Sequence, residues 1–525
     1  MAHVALMVPF DPVQAANPSN ATQPPLRLAA LAASTRALGH RVTAIDGVGL
    51  GLGNVWSLGA RFRFEGLSIP DLVARVPDDA DVLGVSLMFT QTWPAVRALL
   101  LAIRAAHPTL PLIVGGEGAT GIGDHVVRES GVDAVVIGEG EVPWAEILRR
   151  LGEGEELDGI VNVVTSPEPQ PQLAATPEPR GTNHLDDLPW PDWSDVPLEA
   201  YWEQRRGHGP TSWARSLPII ASRGCPFKCK FCTAPSTWGN QRYRSVQDVI
   251  GEMRHRQESL GIEFFSFNDL SITTRVAWFE EFVDALIAAD LQTHWAVPAG
   301  IRAQKLSYDL LRRAKLAGMT HLQIAPETGS DKVLAWIDKR FERESVEETV
   351  VNAKRAGLPV CAYFIVGHPV EELEDYMATL RFLVRLAELG VDEVAVSAFT
   401  PLPGSPYFNE LMEAGGVVID DDFCAILAQG DLSLKVSVSP FFDGDEIRVM
   451  RLHALLWFYA NRFTRRPGDL LALTSRLLSG EQETKLDRVF RYEFASLLRG
   501  FAPVLSTASL GVLSRVGRHL LRAPA

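Results

Sequence analysis

Three of the chain's five cysteines fall within eight residues, in Ser222-Arg223-Gly224-Cys225-Pro226-Phe227-Lys228-Cys229-Lys230-Phe231-Cys232. The spacing is C-x₃-C-x₂-C. Three thiolates on one short loop can each hold one iron of a cube, leaving the fourth iron open to another ligand. A structural zinc ion would want a fourth Cys or His close by. The nearest histidines are His208, 17 residues before Cys225, and His255 downstream. A redox pair would need only Cys229 and Cys232. The third thiolate and its place just after an apolar strand favour a [4Fe–4S] cluster on Cys225, Cys229 and Cys232. Cys361 opens an apolar strand and reads as a buried structural thiol. Cys424 has no ligand partner in sequence, and two distant cysteines cannot hold a second, four-thiolate cluster.

Other residues that could do chemistry sit where apolar runs end. Downstream of the cysteines these are Phe267-Asn268-Asp269, Ala325-Pro326-Glu327-Thr328-Gly329-Ser330, Phe364-Ile365-Val366-Gly367-His368-Pro369-Val370-Glu371 and Pro401-Leu402-Pro403-Gly404-Ser405-Pro406. Upstream lie Gly115-Gly116-Glu117-Gly118 and Gly138-Glu139-Gly140-Glu141. Paired glycines let backbone approach a bulky ligand closely. They are not a dinucleotide fingerprint, because no G-x-G-x-x-G follows the first apolar run. Gly49 to Gly53 follows the second and reads as a loop.

The elements that must position these residues alternate strand and helix. In residues 1–150, Val4–Val8, Val42–Ile45, Val82–Leu87, Leu112–Val114 and Ala134–Ile137 read as strands, and Leu26–Leu38 as a helix. That alternation implies a doubly wound parallel α/β sheet, with ligands at the C-terminal strand ends. Residues 151–214 read as a connector, with five prolines between Thr165 and Arg180. From 215 to 410 come six further strands: Leu217–Ser222, Phe264–Phe267, His294–Val297, His321–Ala325, Val360–Val366 and Glu393–Ala398. Six such units suit a partial βα barrel, whose chemistry also sits at the C-terminal strand ends. Residues 411–525 read as mostly helical.

The cysteine loop and the ordered motifs behind it resemble the radical S-adenosylmethionine (SAM) superfamily over residues 215–410. The resemblance implies that the open iron binds the amino and carboxylate groups of SAM. SAM would then be cleaved reductively to a 5′-deoxyadenosyl radical. It implies SAM contacts from Phe231, Asn268, Asp269, Arg302, Glu327, Thr328, Gly367 and Glu371. Leu270 stands where a second Asp is usual. Arg242 and Arg244, after Trp238-Gly239, recur in relatives near substrate or cofactor, although solvated arginines are the default. Residues 1–150 resemble the cobalamin-binding domain found before many such barrels. Pro24-Pro25-Leu26, Gly39-His40 and the glycine turns carry that likeness. It implies cobalamin contacts from Ser86, Thr90, Gly115, Gly116, Gly138 and Glu139. No Asp-x-His-x-x-Gly occurs there, so no lower cobalt ligand is offered by that route, and Gly118 stands where many relatives have His. A Rossmann-like lid without cofactor is the competing reading of this segment.

The resemblance implies cobalamin-dependent radical methylation of an unactivated carbon, with oxidative cyclisation or rearrangement as the alternative. A non-catalytic cobalamin-binding module is the reading from another class. Methylthio transfer is excluded, because it needs three more cysteines and residues 1–224 have none. The expected partners are a small-molecule or lipid substrate and an electron donor such as flavodoxin or ferredoxin. A net charge of −14 argues against a nucleic-acid partner. Clustered cysteines, the lack of a basic and apolar leader after Met1 and the lack of a long apolar run predict a cytoplasmic protein. From Ile447 to Ala525, 13 Lys and Arg stand against 5 Asp and Glu. The stretch Leu505–Leu521 has the basic amphipathic pattern of a helix on an anionic membrane, although packing on the barrel is the favoured reading.

Overall fold

The structure is a computed structural model that describes residues 1–13, 22–168, 181–208, 213–304, 306–428, 435–480 and 484–488. The N-terminal unit is built on β1 (His3–Val8), a strand buried at every position. An unbroken buried run is what a central parallel strand requires, since helices cover both faces. β1 pairs in parallel with β3 (Arg41–Asp46) and β6 (Val82–Ser86). β7 (Leu112–Gly115) and β8 (Ala134–Val136) continue the parallel sheet, and β9 (Val163–Val164) closes the edge antiparallel, giving the order β3-β1-β6-β7-β8-β9.

The sequence reading missed one element here. β2 (Phe10–Pro12), β4 (Val55–Leu58) and β5 (Phe62–Gly66) form a separate antiparallel sheet above the ends of β1 and β3. Its strands are short, and an aromatic cluster of Phe10, Trp56 and Phe64 holds them together, with ring centroids about 5 Å apart. The pairing of β2 with β5 joins segments far apart in sequence, and the β4–β5 hairpin is too short to show a clear alternation.

The connector is more structured than its prolines suggest. Residues 169–180, where most of those prolines lie, are outside the described residues. From Leu185 onward the chain packs into the core. Trp193, Leu198, Tyr201 and Trp202 are buried. Arg36 donates to Asp192 and Asp195, both at 2.5 Å, and Tyr201 Oη donates to Asp46 Oδ2 at 2.9 Å.

The second unit contains β10 (Ser216–Ile219), β13 (Phe264–Phe267), β14 (His294–Ala296), β15 (Leu322–Glu327), β16 (Val360–Val366) and β17 (Glu393–Ala398). They run parallel as two triplets, β10-β13-β14 and β15-β16-β17. Parallel bridges at Trp295–Met319 and Ile301–Ile324 join the triplets into a partial barrel. β10 is shorter than the sequence predicts. Its continuation leaves the barrel as β11 (Ser222–Arg223), which pairs antiparallel with β12 (Arg242–Tyr243). Helices Gly444–Arg465 and Pro467–Ser479 follow the barrel, and Arg451 Nε of the first donates to Val396 O of β17 at 3.2 Å. No helix among the described residues is long and apolar enough to cross a membrane. The basic stretch Leu505–Leu521 lies outside the described residues.

Candidate functional site

The cysteine loop begins where β10 is turned out of the barrel. Asp269, at the end of β13, accepts from Ala221 N at 3.1 Å and from Ser222 N and Oγ at 2.5 Å each. Gly224 follows with φ +85, and a Cβ there would run into Asn240 O. Cys229 is buried and Cys225 and Cys232 are half-buried. Burial pushes all three thiols up, Cys232 to about 12. Arg302 and Lys339 oppose that rise at Cys225 and Cys229. The Arg302 guanidinium lies 3.7 Å over the Phe227 ring and donates to Lys339 O at 2.9 Å and Arg340 O at 2.7 Å. Lys339 Nζ is ion-paired with the buried Glu327. Glu327 and Asp338 both carry positive φ, 66° and 54°, conformations that non-glycine residues rarely hold and that gather at functional sites.

Among the described residues no three Cys, His, Asp or Glu side chains converge as a single metal ion requires. A cube differs, because each thiolate binds its own iron and the three must stand apart. Three thiols on one loop, two flanking cations and an Ala234 N–H directed at Cys232 Sγ at 3.5 Å suit such an anionic group.

A cavity of about 480 Å³ opens beside this loop. On the N-terminal side it is floored by strand ends and turns: Val8, Ser86, Gly115, Gly116 and Gly138. Its apolar wall includes Leu28 and Leu31 of helix Leu26–Ala37 together with Leu6, Gly84 and Trp144. A Cβ at Gly84 would lie 3.0 Å from both Leu6 Cδ2 and Trp144 Cη2, so glycine lets these side chains pack this closely. Gly116 has φ +116 and would place a Cβ 2.6 Å from Leu87 O. On the barrel side the cavity reaches Arg223, Gly224, Trp238, Asn268, Leu270 and Ala299. A mostly apolar cleft with bare glycine turns and an aromatic in its wall fits a large planar cofactor.

Two contacts tie the cavity wall to the cysteine loop. Glu139 is buried and bridges two arginines of the β11–β12 hairpin, Arg223 at 2.8 Å and Arg242. Arg223 also pairs with Glu141 at 2.7 Å. Glu117 accepts from the hydroxyl of Thr233, the residue after Cys232, and burial pushes its carboxyl up.

Several residues expected at cofactors have other partners. Both oxygens of Asp269 are engaged by the β10–β11 turn. Thr328 Oγ1 is bonded to Thr379 Oγ1 at 3.0 Å and accepts from Ser330 N at 3.2 Å. Glu371 Oε2 accepts from Gly367 N at 2.5 Å and His368 N at 3.1 Å, holding the turn after β16. Gly367, with φ +85, faces Ile447, to whose Cδ1 a Cβ would approach within 2.6 Å. Phe231 packs on Val333, Leu334 and Ile337. Glu139 lines the cavity but spends its carboxylate on Arg223 and Arg242. Thr90 is buried in a turn and does not line the cavity, while its neighbours Met88 and Phe89 do. Gly118 has no room for the histidine of relatives, since a Cβ would meet Thr90 N at 2.8 Å. Arg244 pairs with Asp248 and Glu252, both at 2.6 Å. Ser86, Gly115, Gly116, Gly138 and Asn268 do line the cavity. Lys339, Glu117 and Arg223 were missed, because their partners are 12 to 116 residues away and carry no motif spacing.

Residues 219–383 match the Radical SAM superfamily and residues 16–148 match the B12 binding domain. The chain is 27% identical over 454 residues to cytidylyl-2-hydroxyethylphosphonate methyltransferase of Streptomyces wedmorensis, covering 81% of this chain and 84% of that one. It is 27% identical to the anaerobic magnesium-protoporphyrin IX monomethyl ester cyclase of Rubrivivax gelatinosus, covering 63% and 58%. Its fold is similar to that of OxsB, a cobalamin-dependent SAM radical enzyme solved with aqua-cobalamin and SAM, with a TM-score of 0.65, 15% identity and coverage of 99% and 75%. The chain thus belongs to the radical SAM enzymes that carry a B12-binding domain ahead of a [4Fe–4S]- and SAM-dependent barrel.

Proposed function

We propose that this protein is a cobalamin-dependent radical SAM C-methyltransferase acting on an unactivated carbon of a small molecule. One observation carries the reading: a single cavity runs from the strand ends of the B12-binding unit to the barrel wall at Asn268 and to the strand that bears the cysteine loop. When bound, the cluster and SAM supply the radical, and cobalamin supplies the methyl carrier. The protein's own part is placement. Cys225, Cys229 and Cys232 hold the cluster. Arg302 and Lys339 balance its charge. Gly115, Gly116 and Gly138 let a wide cofactor lie close to the backbone. Leu6, Leu28 and Trp144 give it an apolar wall. Asn268 presents a polar group to SAM from the barrel side.

The phosphonate methyltransferase relative supports methyl transfer, and the cyclase relative makes ring closure an outcome of the same test. Anaerobically reconstituted protein is incubated with methyl-deuterated SAM, reduced flavodoxin or ferredoxin, and a small-molecule extract of the source cells. A deuteromethylated product supports the proposal. An altered but unlabelled product replaces methyl transfer with cyclisation or rearrangement. A protein that binds cobalt yet never cleaves SAM is a binding module. Metal analysis should give about four irons and about one cobalt per chain.

A further inference from the structure

We propose that Glu117 is a positioning residue that couples the cofactor cavity to the iron–sulfur loop, an inference that rests on the cobalamin reading above. Glu117 opens the short helix Glu117–Gly121 directly after Gly116, and it lines the cavity. Its Oε1 accepts from Thr233 Oγ1 across the domain boundary. Thr233 follows Cys232 and precedes the helix Ala234–Thr237, whose first N–H points at Cys232 Sγ at 3.5 Å. One carboxyl therefore stands at the cavity wall and two links from a cluster thiolate.

The surroundings make this link stiff. A Cβ on Gly118 would lie 2.8 Å from Thr90 N, and one on Gly121 would overlap Pro403 O of the loop after β17. Gly404 of that loop would bring a Cβ to 3.0 Å from Ser236 Oγ in the helix after Cys232. The helix that carries Glu117 is thus wedged between the β6 turn and two barrel loops, and a shift at one end is passed to the other.

The choice of residue also needs a reason. Among the described residues no Lys or Arg pairs with Glu117, and Thr233 is its one hydrogen-bond partner. The Glu117 carboxyl is half-buried at the cavity wall, and a partly desolvated carboxyl with one bond costs more than an apolar side chain of the same volume. Its second oxygen has no donor among the described residues, which leaves it for the cavity's occupant. A corrin rim carrying amide N–H groups supplies such a donor. Binding there would draw on the carboxyl, alter the Thr233 bond and change the electrostatics at Cys232.

The test uses full-length protein with its cluster reconstituted and cobalamin withheld, then added as hydroxocobalamin. The reduced fraction of the cluster is read by electron paramagnetic resonance at a fixed potential near its midpoint. In the wild type, cobalamin should change the ratio of reduced to oxidised cluster by roughly two- to tenfold, the scale of one hydrogen bond. Glu117→Ala and Thr233→Val should lose that response while still binding cobalt, and Glu117→Gln, which keeps an acceptor for Thr233 but presents an NH2 donor to the cavity in place of the second oxygen, should lose it too. Thr233→Val alone decides the matter if Glu117→Ala fails to fold. A response that persists in Thr233→Val, or is absent from cobalt-loaded wild type, overturns the coupling and leaves the proposed function standing. A wild type that takes up no cobalt removes both.

Discussion

Replacing Glu139 with Ala should loosen the joint between the two units more than any other single surface-distant change. The carboxylate is fully buried and bridges Arg223 and Arg242, whose side chains are 13% and 9% exposed. Removing one partner of a buried ion pair costs about 3–5 kcal/mol, because the other charge is left uncompensated. Here the loss is cushioned. Arg223 keeps Glu141 at 2.7 Å, and Arg242 keeps Thr182 O at 2.6 Å and Trp238 O at 3.0 Å. The low end, about 3 kcal/mol, is therefore expected. Glu139→Gln retains the volume and one acceptor and should cost about 1.5–3 kcal/mol. The assay is urea unfolding of reconstituted protein, with a double-mutant cycle against Arg242→Ala. A coupling energy above about 1 kcal/mol is expected for groups in direct contact. Glu139→Ala should also weaken cobalamin binding, since the Gly138 turn floors the cavity. A loss below about 0.5 kcal/mol with additive energies would refute the clamp.

Replacing Cys232 with Ala should remove the cluster's iron and visible absorption and abolish SAM cleavage, read by metal analysis and product chromatography. Gly116→Ala forces a Cβ to 2.6 Å from Leu87 O at φ +116, a strain on the order of 1–3 kcal/mol, and should lower cobalamin affinity measured by absorbance titration. Asp46 is raised from 3.8 to about 6 by burial, against hydrogen bonds from Gly49 and Tyr201. A raised carboxyl binds its proton more tightly in the folded state. Its contribution is therefore full below about pH 4 and is lost as pH rises to about 6. Asp46→Asn should flatten that segment of the stability–pH curve by up to about 3 kcal/mol, checked by unfolding at about pH 4 and about pH 7. An unchanged slope would refute the assignment.

Much of the architecture is legible because it is local. The buried run His3–Val8 and the all-apolar Phe264 and Phe265 announce parallel strands by composition. The glycines at 115, 116 and 138 announce turns that must stay bare. The cysteine spacing announces its chemistry because three ligands on one loop need no tertiary information to meet. The apolar pattern extends β10 to Ser222, because it does not show that Asp269, 47 residues on, claims Ser222 N and bends the chain away. In the antiparallel sheet β2-β5-β4 the β2–β5 pairing is likewise non-local, while the β4–β5 hairpin is too short to carry a periodic signal.

Spacing and periodicity, which are properties of short stretches, are enough to read the cluster motif, the two α/β units and their order. What the polar residues at the strand ends do depends on packing between distant segments. That packing turned Asp269, Thr328, Glu139 and Glu371 toward neighbouring protein groups. It brought Lys339 and Arg302 beside the thiols, and set Glu117 between the cavity and Cys232. A carboxylate or hydroxyl in a buried place takes whichever donor lies within about 3 Å. Which donor that is depends on how separate segments pack, not on the residues beside it in the chain.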